Sequence, residues 1–176
     1  MSRSLTVFLF LLILISGFSD RAEAQVTYQV FFSENDLLFE QRDGFDLVSL
    51  RGCVRSQRTG SPDLPMRMVH LVLPHGCEVT EVSVIHAERT SLGRGFSILP
   101  VQPDARTDGS SVKEWVSPDP AVYDSDSLYP SRLVERVSDG HLGGNHVISL
   151  AVSPLQYRPK SQTLILHTQL EIGVEL

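Results

Sequence analysis

The sequence predicts an all-β fold, a β-sandwich or barrel-like domain with little helix after an N-terminal signal peptide. Past residue 24, apolar residues recur with a period of two, as they do in strands that bury one face. Gly, Pro, Asn and Asp separate the short apolar runs, as turn residues do. No segment beyond the leader sustains the i, i+3, i+4, i+7 spacing of an amphipathic helix together with a capping residue. Two sheet faces that share one core would account for this pattern.

The N-terminus has the layout of a signal peptide. Arg3 precedes an uninterrupted apolar run from Leu5 to Ile15, and Ala22-Glu23-Ala24 matches the small-x-small cleavage pattern. The run is about half of the roughly 20 residues that a membrane span needs, which disfavours an uncleaved anchor. We therefore expect cleavage between Ala24 and Gln25, a mature domain over residues 25–176, and a location outside the cell or in the envelope.

Charge argues against two classes of partner. The leader carries as many basic as acidic residues, so its removal leaves the net charge at −6. An acidic chain without a long Lys/Arg run gives no electrostatic reason to bind nucleic acid, or a membrane after signal cleavage. About 150 mature residues suit one domain with a sizeable core.

The strand from Leu164 to the end shows the alternation best, with Leu164, Leu166, Leu170 and Ile172 on one face. Met66–Leu73 is almost continuously apolar, which predicts a central strand covered on both faces. The other predicted strands are Thr27–Phe32, Phe45–Leu50, Arg67–Leu73, Glu78–Ile85, Phe96–Leu99 and His146–Val152.

Two segments interrupt the strand pattern. Ser131–Val137 follows Pro130 and could form one or two helical turns. Pro103 to Pro120 is dense in Asp, Ser, Gly and Pro, which predicts a long surface loop that is either functional or mobile.

Cys53 and Cys77 are the two cysteines of the chain. An even number in an exported protein is compatible with a disulfide, which would stabilise the fold by roughly 3 kcal/mol. Two separate thiols are equally compatible, because sequence does not show whether the Cα atoms come within about 7 Å.

No complete catalytic motif or metal site is recognisable, so we expect a non-enzymatic domain that needs neither cofactor nor metal. His75-Gly76-Cys77 places a His beside a Cys, but a turn explains these residues without catalysis. His141 and His146 flank a Gly-Gly pair, where a hairpin turn is favoured over a metal site.

Two further residue groups have a structural explanation that we favour. Asp124, Asp126 and Glu135 have the spacing of calcium-loop ligands, but Tyr129 occupies the position where such a loop requires Gly. Trp115, Tyr123 and Tyr129 could form a binding surface, although aromatic residues near the base of a loop more often pack against the domain.

Several phrases, taken in order, resemble the propeptide of gingipain-type secreted bacterial cysteine peptidases. Gly60-Ser61-Pro62-Asp63-Leu64-Pro65 leads into an apolar strand that ends in a Pro-His-Gly turn. No single phrase is specific, and their order and spacing from Gly60 to the end carry the resemblance. The later phrases are Val122-Tyr123, Leu128-Tyr129-Pro130, Gly143-Gly144 and Val152-Ser153-Pro154-Leu155-Gln156-Tyr157-Arg158-Pro159.

The resemblance implies an N-terminal pro-domain that assists folding of a secreted cysteine peptidase and keeps it inactive. Its partner would be the peptidase catalytic domain, in the same precursor or encoded nearby. In members specific for basic residues, an Arg or Lys from an exposed loop enters the specificity pocket, and Arg106 and Lys113 lie in the predicted long loop. Both could equally be ordinary surface charges.

A cell-surface structural or adhesive β module is the alternative function, because a shared scaffold does not determine function. An independent hydrolase is disfavoured, because the sequence contains no recognisable arrangement of catalytic residues.

Overall fold

A computed structural model of the chain describes residues 25–74, 76–103 and 115–176. The predicted leader, including Ala24, lies outside these residues, and Gln25 opens the first strand. The described chain is mostly strand with one short helix, α1 (Pro120–Tyr123), and one 3-10 turn (Glu34–Asp36). The strands are β1 (Gln25–Phe31), β2 (Leu37–Arg42), β3 (Phe45–Leu50), β4 (Val54–Arg55), β5 (Pro65–Leu73), β6 (Glu81–Arg94), β7 (Val134–Leu142), β8 (Asn145–Val152), β9 (Leu155–Arg158) and β10 (Thr163–Glu175).

The first large sheet is built around β10, which is antiparallel to all its neighbours. On one side of β10, β6 pairs with it along its whole length. On the other side, β1 pairs with the C-terminal half of β10 and β9 pairs with its beginning. The predicted alternation holds, because Leu164, Leu166, Leu170 and Ile172 are fully buried.

The second large sheet has the order β4-β5-β8-β7 and is also antiparallel. β7 and β8 form a hairpin that turns at Gly143 and Gly144, both with positive φ. This confirms the hairpin interpretation of the His141–His146 segment.

The inner faces of the two sheets share one hydrophobic core, so the fold is a sandwich whose sheets do not close into a barrel. Ile148 and Leu150 of β8 and Leu166 and Ile172 of β10 are fully buried in it. At about 25 cal/mol per Å² of buried apolar surface, such residues supply most of the stabilisation. No helix among the described ranges is long and apolar enough to cross a membrane.

The predicted strand at Phe96–Leu99 is wrong. Gly95 has a φ of +95°, and Pro100 lacks a backbone N–H, so the segment between them cannot extend a ladder in either direction. It makes an isolated bridge from Ile98 to Asp46 instead. The Leu99 N–H donates to the Asp46 carbonyl at 2.9 Å, which attaches this segment to the hairpin of β2 and β3.

The helical interpretation of Ser131–Val137 is also wrong, because Val134 opens β7 and pairs with Val152. So short a segment gains little as an isolated helix, whereas strand pairing buries Val134 in the core. The one-turn helix forms earlier in the chain, at the end of the long loop, where Asp119 accepts from the Ala121 N–H and Pro120 occupies the first turn.

β5 is central in its sheet, as predicted, but is not covered on both faces. Val69 and Leu73 are buried, while His70 is exposed and Val72 is 67% exposed. The outer face of β5 therefore meets solvent at His70 and Val72.

Candidate functional site: the base of the long loop

The two ends of the long loop are joined by one side chain, that of Gln102. Its Oε1 accepts from the Val116 N–H at 2.9 Å, and its Nε2 donates to the Val116 carbonyl at 2.9 Å. The same nitrogen donates to the Pro100 carbonyl at 3.1 Å. Gln102 thereby reproduces, with a side chain, the paired backbone contacts of a β-ladder, and holds the start and end of the loop together.

The segment from Gly60 to Asp63 forms the floor beneath the joined ends. The Gly60 N–H donates to the Val101 carbonyl at 2.9 Å, and the Val101 N–H donates to the Ser61 carbonyl at 2.8 Å. On the other side, the Asp119 N–H donates to the Gly60 carbonyl at 2.9 Å. Gly60 has a φ of +81° and lies against Val116 and Ser117, a conformation that a larger residue would strain.

Asp63 fixes the floor to the rest of the domain. Its side chain is 3% exposed and pairs with Arg55 at the end of β4. Its N–H donates to the Leu99 carbonyl at 2.8 Å. A buried carboxylate with a charged partner is costly to disturb, so this contact supports a rigid floor.

Aromatic residues pack around the same base. Trp115 tilts against Phe45 with ring centroids 6.0 Å apart, and remains 44% exposed. The Tyr123 hydroxyl donates to the Ile98 carbonyl at 2.8 Å, and burial raises the pKa of Tyr123. Tyr129 bridges Tyr157. The packing interpretation of the two tyrosines is confirmed.

Arg106 and Lys113 lie outside the described residues. The structure places the flanking residues, Pro103 and Trp115, next to the joined base. The inhibitory role predicted for Arg106 and Lys113 stays a prediction.

Cys53 and Cys77 are both free. Val54, next to Cys53, pairs with Met66 near the start of β5, whereas Cys77 contacts His146, which pairs with Leu73 at its end. At about 3.3 Å per residue, these positions are more than about 20 Å apart, well beyond the reach of a disulfide. Burial raises the pKa of Cys53, and Arg67 partly opposes the increase.

A polar cluster lies at the turn end of the β7–β8 hairpin. His146 Nε2 contacts Asp139, and His146 Nδ1 lies 2.8 Å from the Cys77 carbonyl. Arg136 lies 3.6 Å from Asp139 and donates to Val79, and His141 stacks on His146 at 5.0 Å. The bond to Asp139 raises the pKa of His146 and lowers the pKa of Asp139. The cluster ties the hairpin to the segment before β6.

The described residues do not assemble a recognisable catalytic set. His70 Nδ1 and Ser149 Oγ are 2.9 Å apart on the outer face of β5 and β8, but no hydrogen bond or ion pair joins His70 to a carboxylate of a described residue that would orient it. Within the same ranges, no group of three or more His, Cys, Asp and Glu side chains could hold a metal ion. Asp124 ends helix α1.

Sequence reasoning found the loop but missed the residues that hold its ends. Gln102 belongs to no motif. Two of its three contacts reach Val116 across the loop, and the third is with Pro100, two residues earlier. Gly60-Ser61-Pro62 stands out in the sequence only through the family resemblance, which does not predict its contacts with Val101 and Asp119. A glutamine two residues after a proline, at the start of a polar loop, is too common a pattern to predict that its side chain joins the two ends of the loop.

Three comparisons bear on identity. The Propeptide_C25 family model matches residues 13–176. The fold is similar to the complex of the pro- and mature domains of Porphyromonas gingivalis RgpB, with a TM-score of 0.72, 18% identity, and coverage of 86% of this chain and 80% of that one. It is also similar to a structure on the zymogenic latency of gingipain K from Porphyromonas gingivalis, with a TM-score of 0.67, 22% identity, and coverage of 89% and 88%. No curated protein matches the chain.

Proposed function

Since this chain belongs to the Propeptide_C25 family, we propose that it assists folding of a secreted cysteine peptidase and keeps that peptidase inactive through the loop between Gln102 and Val116. The partner is the peptidase catalytic domain, in the same precursor or encoded nearby. Export through the leader at residues 1–24 is part of this proposal.

The joined base of the loop is the observation that carries the proposal. A loop whose ends are held by Gln102 and by the floor at Gly60 can project from a rigid domain without loosening it. Restricting a loop before binding also reduces the conformational entropy that binding removes. This is the property that an occupant of a peptidase cleft requires.

Arg106 and Lys113 are the loop residues that we assign to the specificity pocket of a peptidase selective for basic residues. A long cationic side chain resembles the residue that such an enzyme accepts from a substrate. Either residue would serve, since Arg and Lys are the two basic side chains of the loop.

The test is a titration of residues 25–176 against the mature peptidase encoded with the chain. We expect slowed proteolysis at micromolar concentration. Arg106→Ala or Lys113→Ala should weaken inhibition by about tenfold or more, equivalent to about 1.4 kcal/mol. Arg42→Ala, which removes an exposed Arg on β2, is the matched control and should inhibit like the wild type.

Two results separate the parts of the proposal. If the wild-type domain does not slow proteolysis, the inhibitory role is wrong. If both loop variants inhibit as strongly as the wild type, the role holds but the assignment to these residues is wrong. Assistance with folding is tested by refolding the peptidase with and without the domain and comparing the recovered activity.

A further inference from the structure

Three arginines share the outer face of the first large sheet. Arg94 and Arg158 both lie opposite Thr163 of β10, one on β6 and the other on β9. Adjacent strands are about 4.8 Å apart, so the two arginines are roughly 10 Å apart across the strand between them. Arg89 lies opposite His167 on the same face, roughly 13 Å along the sheet from Arg94, because their partners His167 and Thr163 are four residues apart on β10 at about 3.3 Å per residue.

A β-bulge brings Arg89 and Arg94 to one face. They are five residues apart, and strict alternation would place them on opposite faces. The pairing shifts between Leu164 and Ile165, where Gly93 and Ser91 are successive partners and Leu92 is the extra residue. Residues on either side of a bulge can therefore share a face despite an odd separation.

The three arginines, named here the arginine face, line one open depression. Ser91, Thr163 and Ile165 lie among them. All three arginines are exposed, and none of their side chains forms an ion pair or hydrogen bond with another described residue. Such a concentration of positive charge stands out in a chain whose net charge is −6.

Two carboxylates lie near the arginine face, and neither forms an ion pair with its arginines. Asp126 lines the same depression. Glu88 precedes Arg89 in the chain, but its carboxylate contacts His86 at 3.9 Å. His167, opposite Arg89, is 3% exposed, and burial lowers its pKa, so it adds no charge at neutral pH.

The arginine face is continuous with the segment that carries the loop. β6 ends at Arg94, and the chain then passes through Gly95 and Phe96, whose N–H groups both donate to the Gln162 carbonyl. Four residues further on, Pro100 accepts from Gln102. A partner that receives the loop therefore has the arginine face within reach of the same contact.

We propose that the arginine face binds a cluster of Asp and Glu side chains on the surface of the peptidase domain that receives the loop. This inference rests on the proposed function. The planar guanidinium group donates in a fork that matches a carboxylate, which makes Arg suited to this contact. Opposite charges across an interface chiefly accelerate association and select the partner.

The test measures the association rate of residues 25–176 with the mature peptidase as salt is increased from about 50 mM to about 500 mM, where screening becomes strong. We expect the wild-type rate to fall steeply with salt. The variant R89Q/R94Q/R158Q should associate about tenfold or more slowly at low salt and respond weakly to added salt. R42Q/R51Q/R132Q removes the same charge elsewhere and should keep more of the wild-type rate and salt dependence.

Single variants guard against a folding defect in the triple variant, and each should lose part of the salt dependence. A wild-type rate that does not change with salt, or a triple variant with the wild-type rate and salt slope, would overturn the inference. If the wild type inhibits the peptidase and the triple variant associates identically, only the arginine face is wrong. If the wild type does not bind the peptidase, the proposed function is wrong as well. Arginine-dependent binding of a sulfated polysaccharide, without any effect on peptidase association, would also overturn it.

Discussion

Replacing Gln102 by alanine is expected to separate the two ends of the long loop without unfolding the sandwich. The change removes two hydrogen bonds to Val116 and one to Pro100. A hydrogen bond contributes about 0.5–1.5 kcal/mol net, and part is recovered because the freed groups reach water. We therefore expect a local loss of about 2 kcal/mol, equivalent to roughly a 30-fold increase in the open fraction of the base.

Amide hydrogen exchange measures this opening directly. The N–H groups of Val101 and Asp119 bond to Ser61 and Gly60 rather than to Gln102, so they report whether the base opens as a unit. Their protection should fall by roughly 30-fold in Gln102→Ala. The amide of Ile148, in the middle of β8, should keep its wild-type protection and serves as the internal control.

Gln102→Ala should weaken inhibition of the peptidase by no more than about 30-fold. Without the Gln102 contacts the base of the loop is less ordered before binding, and binding must then supply the free energy of ordering it. Wild-type exchange at both Val101 and Asp119 would refute the view that Gln102 holds the ends together. Normal protection with weakened inhibition would refute the link between loop ordering and potency.

Two further predictions concern stability. Tyr157→Phe should lower the free energy of unfolding by about 1–2 kcal/mol, because the buried Tyr157 hydroxyl donates to the Phe96 carbonyl at 2.6 Å; chemical denaturation should show a lower midpoint with an unchanged slope. The Asp139–His146 contact raises the pKa of His146 and lowers that of Asp139, so its stabilisation is complete between about pH 4 and pH 6.5, the values of the unfolded chain. The contact weakens as pH rises through the folded pKa of His146, so Asp139→Asn should lower Tm more at about pH 5.5 than at about pH 9, and an equal decrease at both values would contradict the assignment.

The strands that the sequence predicted correctly are those in which alternation reports burial. In β10, polar residues separate Leu166, Leu170 and Ile172, and all three are fully buried. Where alternation is weak, prediction failed: β7 contains Glu, Ser, Asp and Gly, and Val134 is its one buried residue. Its strand conformation comes from pairing with β8, and the Gly143–Gly144 pair indicates the turn of this hairpin but not where β7 begins.

The candidate site was predictable in location but not in construction. A run of Asp, Ser, Gly and Pro identifies a loop, because these residues favour turns over ladders. The joined ends depend on the contact between Gln102 and Val116 across the loop. The floor depends on Gly60, which comes from the segment before β5. Neither contact can be predicted from the residues that neighbour it in the sequence.

By itself, the sequence determined the all-β class, the position of the long loop and the resemblance to a family, because periodicity, turn residues and ordered phrases are local properties of the chain. The tertiary structure decided that Cys53 and Cys77 are far apart, that Gln102 closes the loop, and that a bulge brings Arg89 and Arg94 to one face. Each of these depends on strand pairing and register, which are set by contacts between residues distant in sequence.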